Sequence, residues 1–224
     1  MQSKKDIYDK IKNHWSSQPS SVESVLNGFG ELNKPDIEFS NKLLERLINS
    51  NMINTEKVLD CAAGVGRVSE YVLVNHFKQV DMFEQEEKFV NEAKQKFKNN
   101  SRVCSITCSS IQDYNFNNVK YDLIWMQWCL ENISDSDLVI FMKKSYKALN
   151  EKGLIIVKEN CLNKTAKEKY HYTEDTLAKE RRLSTYIKLF NKSGFKIIEK
   201  GINDNWPSEF YPLHYFILKK KKNK

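Results

Sequence analysis

The stretch that decides the fold is Val58-Leu-Asp-Cys-Ala-Ala-Gly-Val-Gly-Arg67. Its first half is a short apolar run typical of a buried parallel strand, and the glycines at 64 and 66 predict a tight turn into a helix. Because glycine has no Cβ, the backbone of such a turn can approach a bound ligand closely. Strand, turn and helix together indicate the ligand-binding edge of a parallel α/β sheet.

Apolar runs alternate with helical patterns on both sides of this stretch. The predicted strands are 57–61, 79–83, 103–107, 121–126, 153–158, 195–199 and 211–218. The predicted helices cover 36–49, a segment after Gly66, 88–98, 135–149 and 178–192. This order predicts a mostly parallel seven-stranded sheet, and the short link at 203–207 makes its last two strands an antiparallel hairpin.

A single domain over residues 1–218 accounts for the length, because 224 residues suit one α/β domain. We expect residues 1–35 to form a helical N-terminal extension that acts as a lid. A small insertion, 161–175, follows the fifth strand. Residues 219–224 contain five lysines and predict a disordered basic tail, and Arg181 and Arg182 are expected on a helix surface.

Composition excludes several classes of protein. With 40% hydrophobic and 12% aromatic residues, the chain can bury a core. No run approaches the roughly 20 apolar residues that span a bilayer, and no secretory signal is apparent, so no membrane partner is expected. Five of the net +7 charges lie in the tail, which leaves about +2 for the rest. Nucleic acid is therefore not an expected partner.

Cysteine usage gives expectations about compartment and metals. The five cysteines are an odd number in a chain of ordinary size, which favours reduced thiols and a cytoplasmic or nuclear location. Cys104 and Cys108 have no histidine nearby, so no metal site is expected. We also expect a monomer.

A polar residue on the next strand extends the glycine turn into a cofactor site. Glu84 ends the second predicted strand, 18 residues after Gly66, where a carboxylate can hold both hydroxyls of a ribose. The third glycine of a dinucleotide fingerprint is replaced by Ser69, and Arg67 occupies a place where a pyrophosphate needs small residues. S-adenosylmethionine fits better than NAD, because Arg67 can pair with its carboxylate.

Longer elements resemble the protein N-terminal α-amine methyltransferases. They include 59–67, 121–128 (ending Ile-Trp-Met-Gln-Trp), 156–160 (ending Lys-Glu-Asn) and 206–211. The resemblance implies a Rossmann-like class I methyltransferase that uses S-adenosylmethionine. It also implies that the substrate is the free α-amino group of protein or peptide chains beginning X-Pro-Lys.

The resemblance carries site residues over position by position. The cofactor contacts it implies are Ala62, Gly64, Gly66, Arg67, Glu84, Gln85, Glu86, Ile111, Gln112 and Gln127. The substrate contacts it implies are Trp15, Leu26, Trp128, Asn160, Glu174, Asp175 and Tyr211. Of these, Trp128 would line the channel for the second residue and Asn160 would bond the first peptide unit, while Glu174 and Asp175 would receive a substrate Lys or Arg.

Two departures from the family concern catalysis. The predicted catalytic residues are Asp175, Asn160 and Asn132. Of these, Asn132 stands where the family often has a histidine. Asparagine cannot accept a proton at neutral pH, so Asp175 is the predicted acceptor, directly or through water. The acidic motif before the last helix is also altered. These changes leave open an alternative, a small-molecule amine or carboxylate methyltransferase on the same fold.

Overall fold

The computed structural model describes residues 4–162, 170–173 and 178–221. The helices are α1 (Lys4–Ser17), α2 (Val22–Val25), α3 (Asn33–Asn49), α4 (Val74–His76), α5 (Glu87–Phe97), α6 (Asp135–Ala148) and α7 (Leu183–Lys192). The strands are β1 (Lys57–Cys61), β2 (Gln79–Glu84), β3 (Val103–Cys108), β4 (Tyr121–Gln127), β5 (Leu149–Leu162), β6 (Tyr170–Tyr172), β7 (Lys179–Arg182), β8 (Phe195–Ile202) and β9 (Leu213–Lys220). A π-helical segment, Ser69–Leu73, precedes α4 in the place predicted for the helix after Gly66.

The main sheet has the strand order β3-β2-β1-β4-β5-β9-β8 within the described residues. The first five strands are parallel, and β9 runs antiparallel to both β5 and β8. This confirms the Rossmann-like sheet with its terminal hairpin. From β1 the chain continues to β2 and β3 on one side of β1, and it then returns to form β4 on the other side. Ligands bind at such a switch point, at the carboxyl ends of the strands.

Side chains from alternate positions of the central strands pack on both faces of the sheet. On one face, Phe141 of α6 and Tyr186 of α7 cover Ile124 and Ile155. On the other face, a second buried cluster joins Leu44 of α3 to its neighbours, among them Leu47, Val72, Trp125, Ile156 and Ile217. Both faces are thus apolar, as a parallel sheet requires, and the polar residues concentrate at the strand ends.

The region after β5 differs from the prediction. β5 itself continues to Leu162, and β6 and β7 form an antiparallel pair that joins the end of β5 through Cys161 and Leu162. The helix predicted over 178–192 is wrong in its first part, since 179–182 is strand β7. Arg181 is fully buried there rather than on a helix surface. Its contacts with the chain after β4 override the local helical pattern.

The last strand lies two residues further along the chain than predicted. β9 extends through Lys220, whose backbone pairs with Phe195, while Lys219 pairs with Leu154 and Lys196. The tail therefore does not begin at 219, because these two lysines complete the ladder, and the Lys220 ammonium donates to the carbonyl oxygen of Leu149 at 2.9 Å. Residues 222–224 lie outside the described part of the chain. None of the described helices is long and apolar enough to cross a membrane.

Candidate active site

A cavity of about 550 Å³ opens at the carboxyl ends of β1, β2 and β4. That volume lies in the range of small-molecule and cofactor sites. Helix α1 closes one side of it through Tyr8, Ile11, Lys12 and Trp15. Among the residues predicted for the cofactor, the cavity is lined by Ala62, Gly64, Arg67, Glu84, Gln85, Ile111, Gln112 and Gln127.

The glycine turn is built from left-handed backbone. Gly64 has φ +56° and Gly66 has φ +78°, a region that favours glycine. A Cβ on Gly66 would lie 2.6 Å from the ring of Phe97. Gly66 is therefore not a lining residue; it lets α5 pack against the turn, whereas Gly64 itself faces the cavity.

Glu84 holds the turn and borders the cavity. Its carboxylate accepts the N–H groups of Gly64 at 2.9 Å, Gln85 at 2.7 Å and Glu86 at 3.0 Å. Burial raises the pKa of Glu84, and these hydrogen bonds offset part of that rise. A carboxylate has about four lone-pair sites, so about one remains to accept a ribose hydroxyl. Glu86 occupies the N-cap position of α5 without a side-chain capping hydrogen bond, and it is not among the residues that line the cavity.

A buried ion cluster lies behind the turn, and sequence reasoning missed its centre, Asp36. This fully buried carboxylate contacts Arg67 Nη1 at 2.8 Å and Gln127 Nε2 at 2.8 Å, and it also pairs with Lys158. Lys158 donates in addition to Ser40 Oγ at 2.7 Å. Burial acts to raise the pKa of Asp36, but Lys158 and Arg67 outweigh it and the pKa falls below its usual value.

The cluster has a surplus of positive charge. In direct contact, two cations share one carboxylate, and Arg67 lines the cavity. A buried cation is costly unless it is paired. The cluster therefore fits a ligand that brings a carboxylate to Arg67, as the methionine end of S-adenosylmethionine does.

Asp60 is a second acid that sequence reasoning missed, although it is the next-to-last residue of β1, close to the glycine turn. It is buried, lines the cavity and accepts a hydrogen bond from Ser69 Oγ at 2.7 Å. Burial raises its pKa to about 7. A carboxyl group in this state can become charged when a cation such as the cofactor's ammonium enters.

A tryptophan and an asparagine stand beside the cofactor residues. Trp128 directly follows β4, lines the cavity and has φ +50°, an uncommon conformation for a bulky residue. Its Nε1 lies 3.4 Å from Asn160 Oδ1, and the Arg67 guanidinium lies 5.3 Å from its ring centre. The ring of Trp206 is 5.9 Å away. Asn160 is joined to the site through Trp128 and does not itself line the cavity.

Two buried side chains fix the backbone after Trp128. Glu159 accepts the N–H groups of Cys129 at 3.0 Å and Leu130 at 2.8 Å. Arg181 donates to the carbonyl oxygen of Leu130 at 2.7 Å and also to that of Ile133. These contacts hold the left-handed turn at Trp128 in place, which local sequence alone does not do.

Of the other predicted residues, some line the cavity and others lie outside it. Trp15 and Asn132 line the cavity. Asn132 Nδ2 donates to the carbonyl oxygen of Trp128 at 3.4 Å, and its Oδ1 has no partner among the described residues. Leu26 is buried outside the cavity lining, and Tyr211 is 42% exposed at the surface. Glu174 and Asp175 lie outside the described residues, so their roles stay predictions. Within the described ranges, no group of His, Cys, Asp and Glu is arranged to hold a metal ion.

The fold and the cavity define an S-adenosylmethionine-dependent methyltransferase. The chain belongs to the family described as AdoMet dependent proline di-methyltransferase, whose model matches residues 3–219. It is 32% identical to alpha N-terminal protein methyltransferase 1 of Caenorhabditis elegans, over 96% of this chain and 91% of that one. It is 29% identical to human N-terminal Xaa-Pro-Lys N-methyltransferase 1, over 98% of each chain.

A solved structure agrees with this assignment. The structure of a SAM-dependent methyltransferase from Leishmania major superimposes with a TM-score of 0.88 at 29% identity. The match covers 95% of this chain and 83% of that one. The similarity to a SAM-dependent methyltransferase thus extends over nearly the whole chain.

Replacing Arg67 by leucine is expected to weaken cofactor binding about 10- to 100-fold. A hydrogen bond to a charged group contributes about 1.5–3 kcal/mol, and each 1.4 kcal/mol is tenfold in affinity. Titration calorimetry with S-adenosylhomocysteine measures the effect. Arg46→Leu is the matched control, because Arg46 pairs with Glu199 at the surface. If the dissociation constant of Arg67→Leu stayed within twofold of the wild-type value, Arg67 would not be a residue that binds the cofactor.

Proposed function

We propose that this protein transfers the methyl group of S-adenosylmethionine to the free α-amino group of proteins or peptides that begin X-Pro-Lys. The observation that carries the proposal is the Trp128–Asn160 pair at the cofactor cavity. An indole ring offers a flat apolar surface to a proline, and an amide offers a hydrogen bond to a peptide unit. The worm relative is named an alpha N-terminal protein methyltransferase and the human relative an N-terminal Xaa-Pro-Lys N-methyltransferase, and both names support this kind of substrate.

Catalysis in this proposal is chiefly positioning. When bound, the cofactor supplies a methyl group on a positively charged sulfur. Arg67 holds its carboxylate and Glu84 its ribose hydroxyls, while Trp128 and Asn160 orient the substrate amine. Holding two reactants in a near-attack geometry contributes several kcal/mol to lowering the barrier, so the site needs no strong nucleophile of its own.

The proton of the amine poses a smaller problem than for a lysine side chain. An α-amine has a pKa of about 7.7–8.0, against about 10.4 for lysine, so a substantial minority is neutral at pH 7.4. Asn132 cannot act as a base, but its Oδ1, which has no partner in the described part of the chain, can accept an N–H of the amine and direct its lone pair. The proton then leaves to water or to the predicted acceptor Asp175.

Helix α1 is proposed as a lid over the bound cofactor. Its side chains line one wall of the cavity, and it is tied to the start of α6. The hydroxyl of Tyr8 accepts the N–H of Ser134 at 2.9 Å and donates to Asp137, which Lys4 also contacts at 2.6 Å.

The five unpaired cysteines support action in a reducing compartment, the cytoplasm or nucleus.

Substrate choice separates this proposal from a small-molecule methyltransferase. The enzyme would be incubated with S-adenosylmethionine and either a Ser-Pro-Lys-headed peptide, its Ser-Ala-Lys counterpart or a panel of small primary amines and carboxylates. We expect methyl increments on the Ser-Pro-Lys peptide at a rate at least tenfold above all others. Turnover confined to the small molecules would contradict the proposal.

A further inference from the structure

Four aromatic side chains form a partly exposed surface outside the cofactor cavity, and the proposed mechanism does not use them. Phe29 is 45% exposed and Tyr211 is 42% exposed, while Trp206 and Phe210 are half-buried. None of the four lines the cavity. Apolar surface that is grouped rather than scattered marks binding sites on soluble proteins. These four residues are called the aromatic rim below.

Two distant segments of the chain build the aromatic rim. Phe29 follows α2, and the other three residues belong to the connection between β8 and β9. The rings of Phe29 and Phe210 meet edge to face, with 5.1 Å between their centres and an angle of 76° between their planes. Trp206 Nε1 donates to the carbonyl oxygen of Tyr211 at 3.0 Å. These contacts join the two segments into one preformed surface.

The aromatic rim is continuous with the proposed substrate site. The ring of Trp206 lies 5.9 Å from the ring of Trp128, which lines the cavity. The connection that carries Trp206 leads into β9 beside Asn160, because Leu213 pairs with Asn160 across the sheet. Since Trp206 does not line the cavity, it contacts Trp128 from outside. A peptide that leaves the cavity past Trp128 therefore meets the rim.

The spacing of the rings matches the residues that follow the third one. An extended peptide advances about 3.3 Å per residue, so the 5.9 Å between the rings of Trp128 and Trp206 correspond to about two residues. A substrate whose second residue lies at Trp128 brings its fourth residue over Trp206. The fifth residue then comes towards the paired rings of Phe29 and Phe210.

The charges beside the aromatic rim are negative. Glu31, Asp204 and Glu209 are exposed there, and neither 26–33 nor 203–212 contains a lysine or an arginine. This local composition contrasts with the net charge of +7 of the whole chain. Like charges across an interface are unfavourable, so the rim disfavours an acidic segment and leaves its aromatic surface to apolar side chains.

We propose that the aromatic rim binds apolar side chains at the fourth and fifth residues of the substrate. This rests on the proposed function, because it assumes a peptide whose amine lies at the cofactor. Contact between these side chains and the rings removes apolar surface of both partners from water. The enzyme thus selects among X-Pro-Lys chains by the residues that follow the lysine.

The test compares three peptides that begin Ser-Pro-Lys and differ only at residues four and five, which are both leucine, both serine or both glutamate. We expect the wild type to prefer the leucine peptide over the serine peptide at least tenfold in kcat/KM, mainly through KM. Tenfold corresponds to about 1.4 kcal/mol, which is less than the complete burial of two leucine side chains contributes. The glutamate peptide should be the poorest substrate of the three.

Variants of Phe29 connect this preference to the rim. Phe29→Ser should reduce the preference for leucine over serine to about threefold or less, whereas Phe29→Leu keeps an apolar side chain and should retain most of it. Tyr71→Ala is the matched control, because Tyr71 is 41% exposed and lies on the π-helical segment instead of the rim. Both peptides report on the same enzyme sample, so a partly unfolded variant lowers both rates and keeps their ratio.

The outcomes separate the rim from the proposed function. Equal kcat/KM values for the leucine and serine peptides in the wild type would overturn the role of the rim and leave the proposed function intact. An unchanged preference in Phe29→Ser, or a wild type that prefers the glutamate peptide, would do the same. If the wild type bound S-adenosylhomocysteine but methylated none of the three peptides, the proposed function would fall and the rim with it.

Discussion

Replacing Asp36 by asparagine is expected to lower the free energy of unfolding by about 3–5 kcal/mol, the range found when one partner of a buried ion pair is removed. Asp36 has no exposed surface, and it is the carboxylate in direct contact with both Arg67 and Lys158. Without it, Arg67 and Lys158 lose the carboxylate that both of them contact. Such a loss is a large part of the 5–15 kcal/mol that stabilises a typical domain.

Urea denaturation at pH 7 measures this effect. The matched control is Glu38→Gln on the same helix, because Glu38 pairs with Lys34 only at the exposed surface, at 4.0 Å. We expect that change to cost less than about 1 kcal/mol. The double variant Asp36→Asn with Lys158→Met should recover a large part of the loss, since it removes the stranded ammonium. A loss below about 1 kcal/mol in Asp36→Asn would show that the cluster does not carry the charge balance described here.

Replacing Trp128 by alanine is expected to lower kcat/KM for a Ser-Pro-Lys peptide at least 100-fold. The change removes the indole that contacts Asn160 and leaves the second residue of the substrate without its apolar surface. A small misplacement of the reacting groups can cost about 100-fold in rate. Affinity for S-adenosylhomocysteine should change far less, because Arg67, the residue expected to hold the cofactor carboxylate, lies on another element.

Two comparisons separate the ring from the backbone. Trp128→Gly removes the same ring but tolerates the left-handed backbone at φ +50° without strain, so it should lose as much activity as the alanine variant. Tyr71→Ala, at a ring that is 41% exposed, is the control and should be neutral. A loss below about fivefold in kcat/KM, or an equal loss in cofactor affinity, would remove Trp128 from the substrate site.

Local patterns in the sequence predicted the features that depend on nearby residues. The run at 57–61 became β1 because its apolar residues are buried on both faces, and the glycines after it form the left-handed turn that was expected. Glu84 was predictable for the same reason, since it ends a strand next to that turn. The resemblance to known enzymes added Trp128 and Asn160, which the structure places in hydrogen-bonding contact.

Features that depend on distant contacts were not visible in the sequence. Asp36 stands in an ordinary amphipathic helix pattern, and only the docking of α3 on the strand ends brings it to Arg67 and Lys158. Arg181 stands in a segment with a helical pattern, yet it is a buried strand residue because it binds the carbonyl groups after β4. No local period predicts such long-range polar partners.

Mass spectrometry of a paired peptide set tests the central claim most directly. The wild-type enzyme would be incubated with S-adenosylmethionine and a Ser-Pro-Lys-headed peptide, beside a twin of the same sequence whose N-terminus is acetylated. Increments of one or more methyl groups on the free peptide alone, located at the first residue by fragmentation, are the predicted result. Equal methylation of both peptides would place the reaction on a side chain and contradict the account, as would an unmodified free peptide in the presence of an enzyme that binds the cofactor.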